Sequence, residues 1–281
     1  MSQSPPVVLT IAGFDPASGA GVTADIKTIA AHGCYGIAAI TAMTVQSTAG
    51  VRRVVSIDPN LLAETLDELA SDVRISAVHI GMLGSGEIAS RVAGFLEKAK
   101  PPKVVLDPIL KSSSGASLLD EAGVGVLKER LLPLVTVITP NVHEAAALTG
   151  IPIDNVDDMK RAAERLQEMG AKSVVITGGH LARAIDLLNE KGQPVQVFQA
   201  HLVPSTNTHG TGCAFSTAIA CHLAHGRSLS SALLAAKAYV TAAIASAYPL
   251  GKGAGPINHM HVMKNHPQAA EMVKKLPSGK D

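Results

Sequence analysis

The 281 residues carry 24 Lys and Arg against 23 Asp and Glu, a net charge of +1, which argues against the broad electrostatic surface that nucleic-acid binding needs. Aromatic residues make up 2 % and Trp is absent, so the core must be built from Ala, Val, Ile and Leu, which suits helices packed closely on a parallel sheet. Cys34, Cys213 and Cys221 have no framework spacing and fit reduced thiols in a cytoplasmic protein. No basic segment followed by an apolar stretch opens the chain, so no secretory signal is expected. The apolar stretch 231–250 is interrupted by Lys237 and is not expected to span a membrane.

Val7–Ala12 reads as a first buried strand, followed by a Gly-rich turn over 13–21 and a helix over about 22–32. Gly36–Thr41 is a second strand. Asp58 and Pro59 supply an N-cap and a first-turn proline for a helix to Leu69. Strands are predicted at Ile75–Ile80, Lys103–Leu106 and Thr136–Ile138, with a helix between the first two. The segment 154–169 is an amphipathic helix with Val156, Met159, Ala163 and Leu166 on one face, stopped by Gly170. Strands follow at Ser173–Ile176, Ile185–Leu188 and Val195–Gln199. From Gly212 to about Tyr248 the chain is helical and Ala-rich, broken at Gly226-Arg227. No repeat or linker divides it. The expectation is one α/β domain over 1–281, with a core of about 7–259, a polar tail over 260–281 and a doubly wound, mostly parallel sheet. Ligands of such sheets bind at the carboxyl ends of the strands.

Those strand ends hold the candidate chemistry. The turn from Gly13 to Gly21 is longer than a tight β-to-α turn requires, and Asp25 follows on the first turn of the next helix. Gln46 offers a donor and an acceptor suited to an aminopyrimidine edge, although by itself it also fits an ordinary loop. Gly81 to Gly86 lacks the spacing of a dinucleotide fingerprint. Asp107, Asn141 and Glu144 stand at two neighbouring strand ends, where they could hold Mg²⁺ through water, or could cap helices. At 206–216 a Gly210-Thr211-Gly212 turn runs into a helix, a ready anion site for a phosphoryl group in transit. Cys213 is either a small residue at a helix start or a thiolate of lowered pKa able to take a hydroxyl proton. His259, His261 and His266 read as a solvated tail without a zinc ligand set.

The segments AGFDPASGAGVTADIKT (12–28), TAMTVQSTAGV (41–51), IGMLG (80–84), LDPILKSSSG (106–115), TPNVHEA (139–145), TGGHL (177–181) and NTHGTGCAFSTAIA (207–220) together resemble the hydroxymethylpyrimidine/phosphomethylpyrimidine kinases of the ribokinase-like superfamily, which act in thiamine biosynthesis. The resemblance runs from about Val8 to His259. It implies an ATP-dependent kinase that phosphorylates 4-amino-5-hydroxymethyl-2-methylpyrimidine and then its monophosphate, with ATP and Mg²⁺ as cofactors, in a homodimer. It implies that Gly13, Asp25, Gln46, Met82 and Ile109 line the pyrimidine site. Asp107, Asn141 and Glu144 would position Mg²⁺ and the nucleotide phosphates, and Thr177, Gly179 and Lys237 would also face the nucleotide. Gly210, Thr211 and Gly212 would form the anion hole, and Cys213 would act as the base. Two segments depart from the family pattern. Many members have Lys where Thr177 stands, with Lys237 on a late helix either a substitute or an ordinary nucleotide-side contact, and Lys111-Ser112-Ser113-Ser114 replaces a more apolar run. With only residues 260–281 after the last motif, no second catalytic domain is expected. A pyridoxal kinase and a catalytically weak pyrimidine-binding module are the alternatives.

Overall fold

Apolar runs become strands and amphipathic runs become helices in the predicted order. The computed structural model describes residues 4–112, 115–179 and 184–263. The first half comprises β1 (Val7–Phe14), α1 (Gly21–Ala31), β2 (Tyr35–Ser47), β3 (Gly50–Ser56), α2 (Pro59–Asp72), β4 (Ile75–Ile80), α3 (Gly86–Ala99) and β5 (Val104–Leu106). Next, α4 (Glu121–Val126) passes through a π-type turn at Leu127–Leu131 into α5 (Leu132–Leu134), followed by β6 (Val137–Ile138), α6 (Val142–Thr149) and α7 (Val156–Glu168). The chain continues with β7 (Ser173–Gly178), β8 (Ala184–Glu190), β9 (Gln196–Ala200), α8 (Thr211–Ala224) and α9 (Leu229–Ala245).

Asp58 caps α2 as predicted, accepting from the N–H groups of Asn60 at 2.7 Å and Leu61 at 3.3 Å. The helical stretch from α4 to α5 lies outside the predicted elements, and two further features differ from expectation. β2 extends to Ser47, and β3, which pairs with that extension in antiparallel fashion, has no predicted counterpart. Its residues, Val51-Arg52-Arg53-Val54-Val55, follow neither the strand period nor the helix period.

The nine strands form one sheet in the order β3-β2-β1-β4-β5-β6-β7-β8-β9. Strands β2, β1, β4, β5, β6 and β7 run parallel, and antiparallel pairings extend both edges. Successive strand side chains feed opposite cores, as the period of two demands. Leu9, Ile11, Val78, Ile80, Leu106 and Ile138 join α2, α3, α6 and α7 on one face. Val8, Ala77, Val105, Val137 and Val175 join α8 and α9 on the other. Small residues let that second layer sit close: Ala218, Ala220, Ala232, Ala236 and Ala243 are all fully buried.

Candidate active site

A cleft of about 650 Å³ runs along the carboxyl ends of the strands, and the strand order sets the order of its wall. Gly13, Gln46, Met82 and Ile109, from the ends of β1, β2, β4 and β5, line one end. Asn141, Thr177, Gly179 and Lys237 line the other, beside an apolar patch of Leu202, Val240 and Ile244. Asp107, Glu144 and the start of α8 lie in the wall with them. A wider groove of about 1240 Å³ separates α2, α3 and α4, but its basic side chains are already engaged, Lys98 with Asp67, Arg130 with Glu97 and Arg91 with Asn60. We assign the site to the strand-end cleft, where chemistry-bearing groups converge.

At the first end, the loop after β1 is organised by Asp15. Its carboxylate accepts from the N–H groups of Ala17 (2.8 Å), Gly19 (3.1 Å) and Ala20 (3.0 Å), and His209 Nε2 lies 2.9 Å from Oδ2. Burial raises the Asp15 pKa, but the His209 hydrogen bond and the loop N–H groups outweigh it and hold the carboxyl below its usual range. Gln46 Nε2 sits 3.3 Å from the same His209 nitrogen, and Gln46 Oε1 accepts from Thr44 Oγ1 at 3.2 Å. Neither Asp15 nor His209 stood out in the sequence. The available signal for Asp15 was its place before Pro16 and Ser18-Gly19, where an aspartate folds the chain back on its own carboxylate. His209 carried no spacing signal at all.

One close backbone approach ties this end to α8, and one glycine makes room for the cleft floor. A Cβ on Gly210, whose φ is 85°, would lie 1.8 Å from the carbonyl oxygen of Gly19. A Cβ on Gly13 would meet Met82 Sδ at 2.9 Å. These two glycines therefore let the loop, the helix start and the cleft floor touch.

The acidic centre combines separate roles. Asn141 caps α6 in a capping box with Glu144: Asn141 Oδ1 accepts from His143 and Glu144, and Glu144 Oε2 accepts from the Asn141 N–H at 2.9 Å. Glu144 is nevertheless pushed up to about 8, by burial and then by the charge of Asp107. Asp107 caps no helix; burial lifts it to about 6 against the pull of His79 and Ser216. Two carboxyls whose pKa values burial raises, both in the wall of a cleft, fit a hard divalent cation arriving with phosphates, since Mg²⁺ uses one or two carboxylates, keeps waters and offsets their buried charge. Among the described residues no cluster of three or more His, Cys, Asp or Glu forms a metal site by itself. Lys237 is buried in an ion pair with Asp186 at 2.6 Å, both of them in the cleft wall.

Three expectations are corrected. Asp25 does not reach the cleft: it lies beyond the first turn of α1 and is fully buried, bonded to Thr10 (2.7 Å) and Thr217 (2.9 Å) between the sheet and α8. Cys213 stands at the third residue of α8, where the helix dipole favours a thiolate, yet its pKa lies well above the usual thiol range. Burial and the nearby charges of Asp25 and Asp107 win over a hydrogen bond from the Gly21 backbone. His259 is buried behind Gly210, its pKa pulled down to about 4 by burial and then by Lys27, and its carbonyl accepts from Tyr239 at 2.5 Å. Ser113, Ser114, His180 and His266 lie outside the described residues.

Residues 15–258 match a family model described as phosphomethylpyrimidine kinase. The chain is 44 % identical over 255 residues to the thiamine biosynthesis bifunctional protein ThiED of Geobacter sulfurreducens, covering 90 % of this chain and 52 % of that protein, so it spans about half of that relative. It is 41 % identical over 257 residues to the hydroxymethylpyrimidine/phosphomethylpyrimidine kinase of Streptomyces coelicolor, covering 91 % of this chain and 95 % of that protein. The fold superposes with a TM-score of 0.84 and 32 % identity on the Staphylococcus aureus pyridoxal kinase in complex with AMP-PCP and pyridoxal, over 92 % of this chain and 94 % of that one. With a family model covering most of its length, a relative 41 % identical almost from end to end, and a strand-end cleft of the same fold, this chain belongs to the phosphomethylpyrimidine kinase family.

Proposed function

We propose that the protein is an ATP-dependent kinase that phosphorylates 4-amino-5-hydroxymethyl-2-methylpyrimidine and then its monophosphate, in thiamine biosynthesis. The observation that carries this is the start of α8, with Cys213 and the Gly210-Thr211-Gly212 turn between a small pocket around Gln46 and Met82 and the carboxyls of Asp107 and Glu144. Gln46 presents both halves of its amide to an aminopyrimidine edge, and Gly13, Met82 and Ile109 form the apolar floor beneath the ring. Asn141, Thr177, Gly179 and the apolar patch of Val240 and Ile244 take the nucleotide, with the Lys237 ammonium replacing the charge that Thr177 lacks.

Phosphoryl transfer asks the protein to hold donor and acceptor in line and to balance charge. The first N–H groups of α8 have no partner within the helix and receive the moving phosphoryl oxygens. Magnesium, when bound with the nucleotide, supplies neutralisation of phosphate and carboxylate charge. Asp107 and Glu144 are the side chains that would hold it, through water. Cys213 Sγ would take the hydroxyl proton only as the thiolate; with a cation beside Asp107, one of the causes that keep the thiol protonated is removed, and burial and Asp25 remain. The three cysteines are free and no helix among the described residues is long and apolar enough to cross a membrane, which supports a cytoplasmic enzyme. Exposed Met43, Val45 and Val55 on the β2–β3 hairpin support a homodimer.

Incubation with Mg·ATP and the hydroxymethylpyrimidine, its monophosphate or pyridoxal, followed by mass spectrometry, tests the proposal. Pyrimidine mono- and diphosphates are expected. Pyridoxal phosphate alone would move the substrate to that of the superposed kinase, and no turnover would overturn the kinase assignment.

A further inference from the structure

Between the sheet and helices α1 and α8 lies a line of polar groups that the reaction described above does not use. Asp25, His79 and Ser216 are fully buried, and Asp107, 6 % exposed, ends the line at the cleft. Asp25 Oδ2 accepts from Thr10 Oγ1 at 2.7 Å, and Asp25 Oδ1 accepts from Thr217 Oγ1 at 2.9 Å. His79 Nδ1 is 3.4 Å from Asp25 Oδ2, and His79 Nε2 is 2.8 Å from Ser216 Oγ. Ser216 Oγ lies 3.3 Å from Asp107 Oδ2.

Counting hydrogens assigns the directions. The single hydroxyl hydrogen of Thr10 goes to Asp25, so Nδ1 of His79, 3.4 Å from Thr10 Oγ1, faces only acceptors and must carry its own hydrogen. Burial opposes a second ring proton, but Asp25, and after it Asp107, outweigh burial and raise the ring's affinity for it. In the doubly protonated form that these charges favour, His79 donates to Ser216, and the Ser216 hydrogen is free to go elsewhere. The helix carbonyls of Gly212 (3.0 Å) and Cys213 (3.1 Å) compete for it, but a carboxylate is the stronger acceptor.

We propose that His79 is a positioning residue for phosphoryl transfer: anchored by Asp25, it turns the Ser216 hydroxyl toward Asp107 and ties that carboxylate to the first turns of α8. The proposal rests on Asp107 serving the phosphates as described above. It gives the buried Asp25 a function that its place outside the cleft would otherwise deny it. It also couples two parts of the site that must stay in register, the acidic strand end and the helix start bearing Cys213.

The test has a spectroscopic and a kinetic arm. In protein labelled with ¹⁵N-histidine, His79 is expected to show two ring N–H signals at neutral pH, absent in His79→Gln, with the Nε2–H signal shifted in Ser216→Ala. A single ring proton on His79 overturns the proposal. Ser216→Ala removes one hydroxyl from a helix that Ala favours, so it is expected to fold. It should lower kcat about tenfold, the scale of one hydrogen bond to a charged group, raise the KM for Mg·ATP and leave the pyrimidine KM unchanged. The double variant His79→Gln/Ser216→Ala should be no worse than Ser216→Ala alone, because both act through one contact; additive losses overturn the proposal. An Asp107→Asn enzyme with unaltered kcat would overturn the role of Asp107 and this proposal together. A crippled Asp107→Asn beside an unaltered Ser216→Ala would overturn only the role of His79.

Discussion

Gly210→Ala is the sharpest perturbation the structure offers. A side chain there faces two separate penalties. The backbone φ of 85° is left-handed, which costs a non-glycine residue about 1–2 kcal/mol. The new Cβ would also lie 1.8 Å from a backbone carbonyl oxygen, that of Gly19, which no rotamer change can move away. Restoring ordinary contact requires the Asp15 loop and the start of α8 to separate by about 1.5 Å or more. Misplacement on that scale costs about 100-fold in rate when reactants must be held in line. Gly226→Ala isolates the first penalty. It lies just beyond the other end of the same helix with φ 80°, and a Cβ there meets nothing within 4 Å. Both variants should lose a few degrees in Tm, roughly 2–8 °C for the backbone cost in a domain of this size. In a coupled assay of ADP release, Gly226→Ala should keep its kcat/KM within about twofold, while Gly210→Ala should fall about 100-fold. A Gly210→Ala enzyme of near-normal activity, or equal losses in the two variants, would refute the close-approach reasoning.

Alkylation of Cys213 by iodoacetamide should be slow at pH 7 and accelerate up to pH 9 and beyond, because burial and two carboxylates keep the thiol protonated; fast labelling at neutral pH, read by mass spectrometry, would contradict this. Cys213→Ala should reduce kcat by about 10²–10⁴ while the Tm holds, as expected for loss of a positioned base. Glu144 titrates near 8 when folded against 4.5 as a free side chain, so its contribution to stability is lost as pH rises from about 4.5 to 8. Glu144→Gln, which keeps an acceptor for the Asn141 N–H, should therefore gain Tm relative to the parent at pH 8 and not at pH 4.5; parallel melting curves across that range would count against it. Lys237→Met leaves Asp186 buried and uncompensated and should cost about 3–5 kcal/mol in denaturant titrations. Adding Asp186→Leu should recover most of that stability but not the KM for ATP. If ATP affinity returns with stability, Lys237 is structural only.

The architecture was legible because the predicted strands are short apolar runs, most of the central ones set off by helix signals, and Ile75–Ile80 appears with the predicted bounds. β3 was not, because a hairpin standing at the sheet edge needs no buried face, and Arg52 and Arg53 interrupt its pattern. The site was legible where local chemistry suffices, as at Gly210 or in the Asn141–Glu144 capping box. It failed where the deciding partner lies far along the chain. Asp25 carries a functional-looking motif, yet its destination is decided by His79 and Thr217, which no local pattern links to it. Cys213 obeys the helix-dipole rule locally and is overruled by burial and then by carboxyls from other elements. Asp15 and His209 became visible only as a pair.

That same pairing governs how the molecule must be made. His209 meets Asp15 across 194 residues, Thr217 meets Asp25 across 192, and Gly210 seats on Gly19. The first β-to-α unit therefore leaves the ribosome with an aspartate and a glycine turn whose partners are still unsynthesised. Closing so long a loop is slow and comes late, after the central strands have paired. The pocket around Asp15 is completed only when α8 has emerged and Gly210 can seat on Gly19. A chaperone acting on that nascent chain would meet the apolar sheet face that α8 and α9 later cover.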